Sequence, residues 1–118
     1  MKILVVDDEE PILRIVREVL ESRGHTVLTA PDGRRALETM ATERVDLLIS
    51  DVAMPVMRGP DLAATVRRLH PGMPVVLMSG SERPAGYPFI AKPFRPHNIL
   101  AALDFVGHCP GGLEAGVI

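Results

Sequence analysis

The chain has 118 residues, 47% of them hydrophobic and 24% charged, with a formal net charge of -2. That is room for one domain with one core, and it excludes a broad basic surface for direct nucleic-acid binding. No apolar run reaches membrane-spanning length and the single Cys109 cannot close an internal disulfide, so no membrane role and a reducing cytoplasm are expected.

The opening MKILVV runs straight into Asp7, Asp8, Glu9 and Glu10. A secretory signal would stay apolar and end in small residues, so Ile3–Val6 is predicted as a first strand. Ile12, Ile15, Val16, Val19 and Leu20 then recur at helical spacing, with Pro11 near the first turn and Gly24 as the stop. Thr26–Ala30 is a mixed strand suited to a sheet edge. Ala36, Leu37, Met40 and Ala41 form a second helical stripe after Asp32, a plausible N-cap. Leu47–Ile49 is apolar throughout, as are Ile3–Val6 and Val75–Met78, which fits parallel strands buried on both faces. A third helix carries Leu62, Val66 and Leu69 between Pro60 and Pro71–Gly72. Phe89–Ala91 suits the other edge, and a last helix carries Ile99, Leu100, Leu103 and Val106 from Pro96 to a stop at Gly107. The alternation of strand and helix points to an open, doubly wound α/β sheet. Residues 1–107 are expected to be the domain, and 108–118, rich in glycine and without periodicity, a loosely ordered tail.

In such a sheet, ligands sit beyond the carboxyl ends of the strands. This sequence places Asp7, Asp8 and Glu9 after the first strand and Asp51 at the end of the third. Ser79 ends the fourth, and Lys92–Pro93 follows the fifth. Any one of these is more readily a turn former or helix cap than a functional group. All of them at the ends of the right strands are hard to explain so blandly. Clustered carboxylates repel unless a cation or a proton relieves them, and an all-oxygen set favours a hard ion such as Mg²⁺. An amine and a hydroxyl opposite could neutralise a transferring phosphoryl group.

At these residues the chain closely resembles the receiver domain of two-component response regulators. The matches are "ILVVDDEE", "DLLISDVAMPVMRG", "PVVLMSG" and "FIAKPF", spread from Lys2 to about Val106. The resemblance implies a flavodoxin-like, five-stranded parallel sheet in the order 2-1-3-4-5. It implies that Asp51 is the phosphoacceptor, taking its phosphoryl group from the phosphohistidine of a histidine kinase or phosphotransfer protein. Asp8 takes the place of the direct Mg²⁺ (or Mn²⁺) ligand, Asp7 of its partner, and Ala53 supplies a backbone carbonyl. Ser79 takes the place of the switch hydroxyl, Lys92 of the lysine that pairs with the phosphoryl group, and Phe89 of the switch aromatic. Phe89 reads more simply as a core aromatic of an edge strand. The Lys92–Pro93 bond is expected to be cis. Val56 stands where the family often has glycine, and a β-branched residue disfavours positive φ, so that turn is expected to be altered. Ala53 and Ser81 are small residues beside the site.

One stretch departs from the family. Ser79 and Lys92 are 13 positions apart, where receivers carry a full fourth helix between the fourth and fifth strands. A strand is ~17 Å long. Eight extended residues reach ~26–29 Å, but as a helix only ~12 Å. With Pro84, Gly86 and Pro88 in the segment, that helix is predicted to be absent or reduced to one turn. Tyr87, Pro84 or Pro88 would then cap the apolar surface, or a partner would. Output to an unidentified downstream protein is expected through another surface or a flexible loop, and any dimer through a face other than the family's usual one.

Two rival readings stand beside this one. An interaction-only receiver would ignore phosphate, which sits badly with the complete set of Asp8, Asp51, Ser79 and Lys92. A haloacid-dehalogenase-like phosphatase would need D-x-D after its first strand and an added cap, whereas here Asp7 and Asp8 are adjacent and the chain is short. No turnover beyond self-phosphorylation and self-dephosphorylation is expected. His25, His70, His97 and His108 are scattered and read as surface residues. Met1 at the start of the first strand suggests a stand-alone protein, while the short fourth segment also resembles receivers attached to hybrid kinases.

Overall fold

The computed structural model describes residues 1–80 and 86–108. The elements run β1 (Lys2–Val6), α1 (Glu10–Glu21), β2 (Thr26–Ala30), α2 (Gly33–Thr42), β3 (Leu47–Asp51), α3 (Gly59–Leu69), β4 (Val75–Ser79), β5 (Phe89–Ala91) and α4 (Pro96–His108). All five strands are parallel and lie in the order β2-β1-β3-β4-β5. The doubly wound sheet expected from the alternation is therefore the one observed.

The continuous apolar strands have a simple cause. Ile3, Val5, Leu47, Ile49, Val76 and Met78 pack into a core with α1 and α4. Their neighbours Leu4, Val6, Leu48, Val75 and Leu77 pack into a second core with α2 and α3. Helices on both faces leave no position for a polar residue until each strand reaches its end. The registers pair Val5 with Ile49 and Ser50 with Leu77, so β1, β3 and β4 finish at one rim.

Local signals place most helix ends. The Asp32 carboxylate accepts a hydrogen bond from the Arg35 amide at 2.8 Å, as an N-cap should. Gly24 has φ +84° just after α1, a conformation that suits glycine. Two expectations need correction. The buried stripe of α1 is Leu13, Val16 and Leu20, whereas Ile15 is 45% exposed. The stripe facing a sheet follows spacings of three and four, and Ile15 falls outside it. The last helix also runs through Gly107 to His108, past the expected stop, because a glycine inside a helix costs only about 1 kcal/mol.

Between β4 and β5, the described residues Gly80 and Gly86–Pro88 are not helical. Residues 81–85, including Ser81 and Pro84, lie outside the described residues, as does the expected tail beyond His108 with Cys109. The expectation of an absent or one-turn fourth helix therefore falls largely outside the described residues. Of the residues expected to cap this surface, Pro88 is buried and Tyr87 is half-buried against the α2/α3 core.

Candidate functional site

The site forms where β1, β3, β4 and β5 end. Asp7 follows β1 directly and is wholly buried. Its amide donates to the Ala30 carbonyl at 3.2 Å, which ties it to the end of β2. One carboxylate oxygen accepts from the Glu9 amide at 2.9 Å, and the other accepts from the Lys92 ammonium at 2.8 Å. Asp51, the last residue of β3, is also buried, and its Oδ1 accepts from the Val52 amide at 3.0 Å. Lys92 Nζ lies 3.2 Å from that same Oδ1 and 3.8 Å from Glu9 Oε2. One ammonium thus bridges two buried carboxylates and approaches a third.

Asp8 is exposed, but its carboxylate completes a group with Asp7 and Asp51 in which one oxygen from each lies within 4.8 Å of the others. This all-oxygen set suits a hard divalent cation in both donor type and spacing. Among the described residues it is the cluster of His, Cys, Asp or Glu that could hold one, and no histidine joins it.

Ser79, which ends β4, is buried, and its carbonyl accepts from the Lys92 amide at 2.8 Å. That bond carries the chain from β5 to the rim, and the Lys92–Pro93 peptide bond that follows is cis. Phe89 is half-buried and packs on the α2/α3 core, at the far end of β5 from Lys92. Ala53 is exposed beside Asp51.

The charges perturb one another. Burial pushes the Asp51 carboxyl above its ordinary value, and Asp7 adds to the rise, against the opposing pull of Lys92. For Lys92 burial works the other way, favouring the neutral amine. The hydrogen bond and charge of Asp7, then those of Asp51, outweigh it and leave the ammonium harder to deprotonate than usual. The site therefore carries more negative charge than it can neutralise alone.

One feature escaped the residue reading and another was flagged there. Gly59, the first residue of α3, lies so close to β3 that an added Cβ would sit 2.2 Å from the Asp51 carbonyl oxygen and 2.9 Å from Val52 Cα. Its amide donates to the Val52 carbonyl at 2.9 Å, fixing α3 to the end of the strand. Glycine before a proline at a helix start was the available signal. The other is the turn at Val56, which keeps positive φ (73°) despite the β-branched side chain. The Met57 amide reaches back to the Pro55 carbonyl at 2.8 Å, closing a tight three-residue γ-turn with its centre in a strained conformation. The β-branched residue expected to disfavour positive φ thus adopts it.

Residues 3–104 match the family model for the response regulator receiver domain. The chain belongs to the response regulator receiver domain family. Among curated relatives it is 32% identical to the transcriptional regulatory protein GlrR of Escherichia coli over 111 residues, 86% of this chain and 25% of that protein. It is 32% identical to the alkaline phosphatase synthesis transcriptional regulatory protein PhoP of Bacillus subtilis over 114 residues, 89% of this chain and 48% of PhoP. The receiver thus spans a quarter to about half the length of these relatives. Among solved structures, the chemotaxis protein CheY4 of Vibrio cholerae superposes with a TM-score of 0.84 at 34% identity, covering 89% of this chain and 97% of that one. The receiver domain from the hybrid histidine kinase CckA gives 0.77 at 34% identity, with the same coverages. Receivers are signalling domains of two-component systems, and this one carries the acidic cluster at their rim. Among its described residues no helix is long and apolar enough to cross a membrane.

Proposed function

We propose that this receiver is a phosphoacceptor: Asp51 takes a phosphoryl group from the phosphohistidine of a histidine kinase or phosphotransfer protein. An Asp51 carboxylate oxygen attacks phosphorus, the P–N bond breaks, and its electron pair returns to the imidazole ring. The product is an aspartyl phosphate. What supports the reading is the cluster of Asp7, Asp8 and Asp51 carboxylates at the strand ends, with the Lys92 ammonium bridging Asp7 and Asp51.

Asp7, Asp8, Asp51 and the Ala53 carbonyl would hold Mg²⁺ or Mn²⁺. When bound, the ion supplies Lewis-acid neutralisation of the phosphoryl oxygens. The chain's own residues do the rest. Lys92 gives up part of its contact with Asp7 and Asp51 to pair with a phosphoryl oxygen. Ser79 presents its hydroxyl to another, and Phe89 repacks as β4 and β5 adjust. The readout is a changed protein-binding surface for a downstream partner, or a dimer through a face other than the family's usual one. Only self-phosphorylation and self-dephosphorylation are expected as chemistry, and the cytoplasm is the expected compartment.

The test is incubation with Mg²⁺ and a small phosphoryl donor such as acetyl phosphate, followed by intact mass and by residue-resolved NMR with beryllofluoride. One phosphoryl group should be added, and it should be missing from Asp51→Asn. No Asp51-dependent addition and no response at Ser79 and Lys92 would refute the reading.

A further inference from the structure

We propose that Arg67 and Tyr87 form a clamp that positions Lys92 through β5; the proposal that this lysine serves a phosphoacceptor site rests on the reading above. Strand β5 has three residues and β4 as its neighbour in the sheet. Helix α4 packs on one of its faces. On the other, among the described residues, no helix lies between β4 and β5. A three-residue edge strand, paired with β4 alone, has few ladder hydrogen bonds to fix it along its own length. The buried Ile90 decides which way the strand faces, but it does not anchor the chain where β5 begins.

The anchor at that end comes from α3. The Arg67 guanidinium lies 4.1 Å from the centroid of the Tyr87 ring, and its NH2 donates to the Gly86 carbonyl at 3.2 Å. Tyr87 itself leans on the α2/α3 core beside Phe89. One residue further, the Pro88 carbonyl accepts from the Leu77 amide at 2.9 Å, so the clamped segment passes directly into the ladder with β4. At the other end of β5, the Lys92 amide bonds Ser79 and its ammonium reaches Asp7 and Asp51. Tyr87 and Lys92 are five positions apart, a span of roughly 17 Å of extended chain. Extended backbone transmits an axial shift with little loss. A full one-residue slip would turn Ile90 out of the core. An axial shift of half a residue, ~1.7 Å, is nonetheless enough to loosen the 2.8 and 3.2 Å contacts of Lys92 with both carboxylates. Arg67 and Tyr87 are therefore positioning residues.

Amide hydrogen exchange and beryllofluoride titration together test this. In Arg67→Ala, exchange at Ile90 and Lys92 should accelerate about tenfold relative to Val5 and Ile49, an effect to which the cation–π contact and the Gly86 hydrogen bond both contribute. Saturation with beryllofluoride and Mg²⁺, measured well below the unfolding temperature, should weaken about three- to tenfold, because it needs Lys92 in place. Arg67→Lys, which keeps the cation and one donor, should recover part of both, and Arg67→Met neither. Tyr87→Leu should copy Arg67→Ala, and Tyr87→Trp should not.

Equal acceleration at all four amides would mean a general loss of stability and would overturn the proposal. So would local acceleration with unchanged beryllofluoride saturation, since the clamp would then hold the strand without positioning the lysine. A wild-type protein indifferent to beryllofluoride would remove the proposed function instead, leaving the exchange comparison to decide whether the clamp fixes Lys92.

Discussion

The Lys92 ammonium is held by the wholly buried Asp7 at 2.8 Å, closer than the 3.2 Å that separates it from Asp51. Asp7 therefore depends on Lys92 for charge compensation at least as much as the proposed phosphoacceptor does. Lys92→Ala would strand two buried carboxylates without their counter-charge, an outcome that costs about 3 kcal/mol. In a domain of this size the melting temperature should fall on the order of 10–15 °C. Mg²⁺ should restore more stability to the variant than it adds to the wild type, because the ion then relieves the repulsion that Lys92 had relieved. Thermal melts of both proteins with and without Mg²⁺ check this, and an equal gain would count against shared compensation.

The direction of the Asp51 shift sets a pH dependence. Its folded pKa lies above the ordinary 3.8, so the fold takes up a proton that the unfolded chain has already released. The ionised carboxylate is then a cost to the fold, absent below pH 3.8 and complete above the folded pKa. Asp51→Asn should stabilise the metal-free protein at neutral pH, and the advantage should shrink to nothing as pH falls to 3.8. Lys92 is shifted up from 10.5, so its contribution is whole below that value and is lost as pH rises through the folded pKa. Urea titrations from acid to alkaline pH would show both limbs. An Asn variant equally stabilised at pH 3 would point to packing and not to charge.

Much of this molecule was legible in the residues because burial on both faces leaves a plain signature. Ile3–Val6 and Val75–Met78 are strands without alternation, and the first polar residue after each marks the rim. Asp7 and Ser79 could be placed at one rim on that ground alone, and Asp51 and Lys92 joined them through the order of strands. The face of α1 could not, since Ile12, Leu13, Ile15, Val16, Val19 and Leu20 supply more apolar positions than one sheet covers. Which third is buried depends on how the helix is rolled on the sheet, a tertiary fact. Gly59 was missed for the same reason: the Gly59–Pro60 pair marks a helix start, but its closeness to Asp51 is set by how α3 packs on β3.

That near contact makes Gly59→Ala a severe change. The new methyl would meet the Asp51 carbonyl oxygen at 2.2 Å and Val52 Cα at 2.9 Å, and both are backbone atoms of a central strand. Neither can swing aside, so α3 must move away from β3. A loss of about 3 kcal/mol is expected from overpacking with backbone displacement. Asp51 should also shift, which NMR of the Val52 amide, its hydrogen-bond partner, would show. An alanine variant with wild-type stability would mean that α3 rides loosely on the sheet.

Val56 is strained in the opposite sense, since its backbone costs the fold while its side chain contributes almost no packing. It is 81% exposed and sits at φ 73°, between a Pro55 carbonyl and a Met57 amide bonded at 2.8 Å. The turn cannot relax cheaply, because Met57 packs over Gly33 on one side and Gly59 is seated on Asp51 on the other. A β-branched residue at positive φ costs about 1–3 kcal/mol. Glycine removes that strain and returns about 0.5–1 kcal/mol of it as unfolded-chain entropy. Val56→Gly should therefore stabilise the domain by about 1 kcal/mol, seen as a higher urea midpoint at unchanged slope. Val56→Ala keeps a Cβ at positive φ and should gain less than glycine. Val56→Pro cannot adopt the conformation at all and should destabilise. If glycine lowered the midpoint, the strain would have to be offset by contacts of the exposed valine that its 81% exposure argues against.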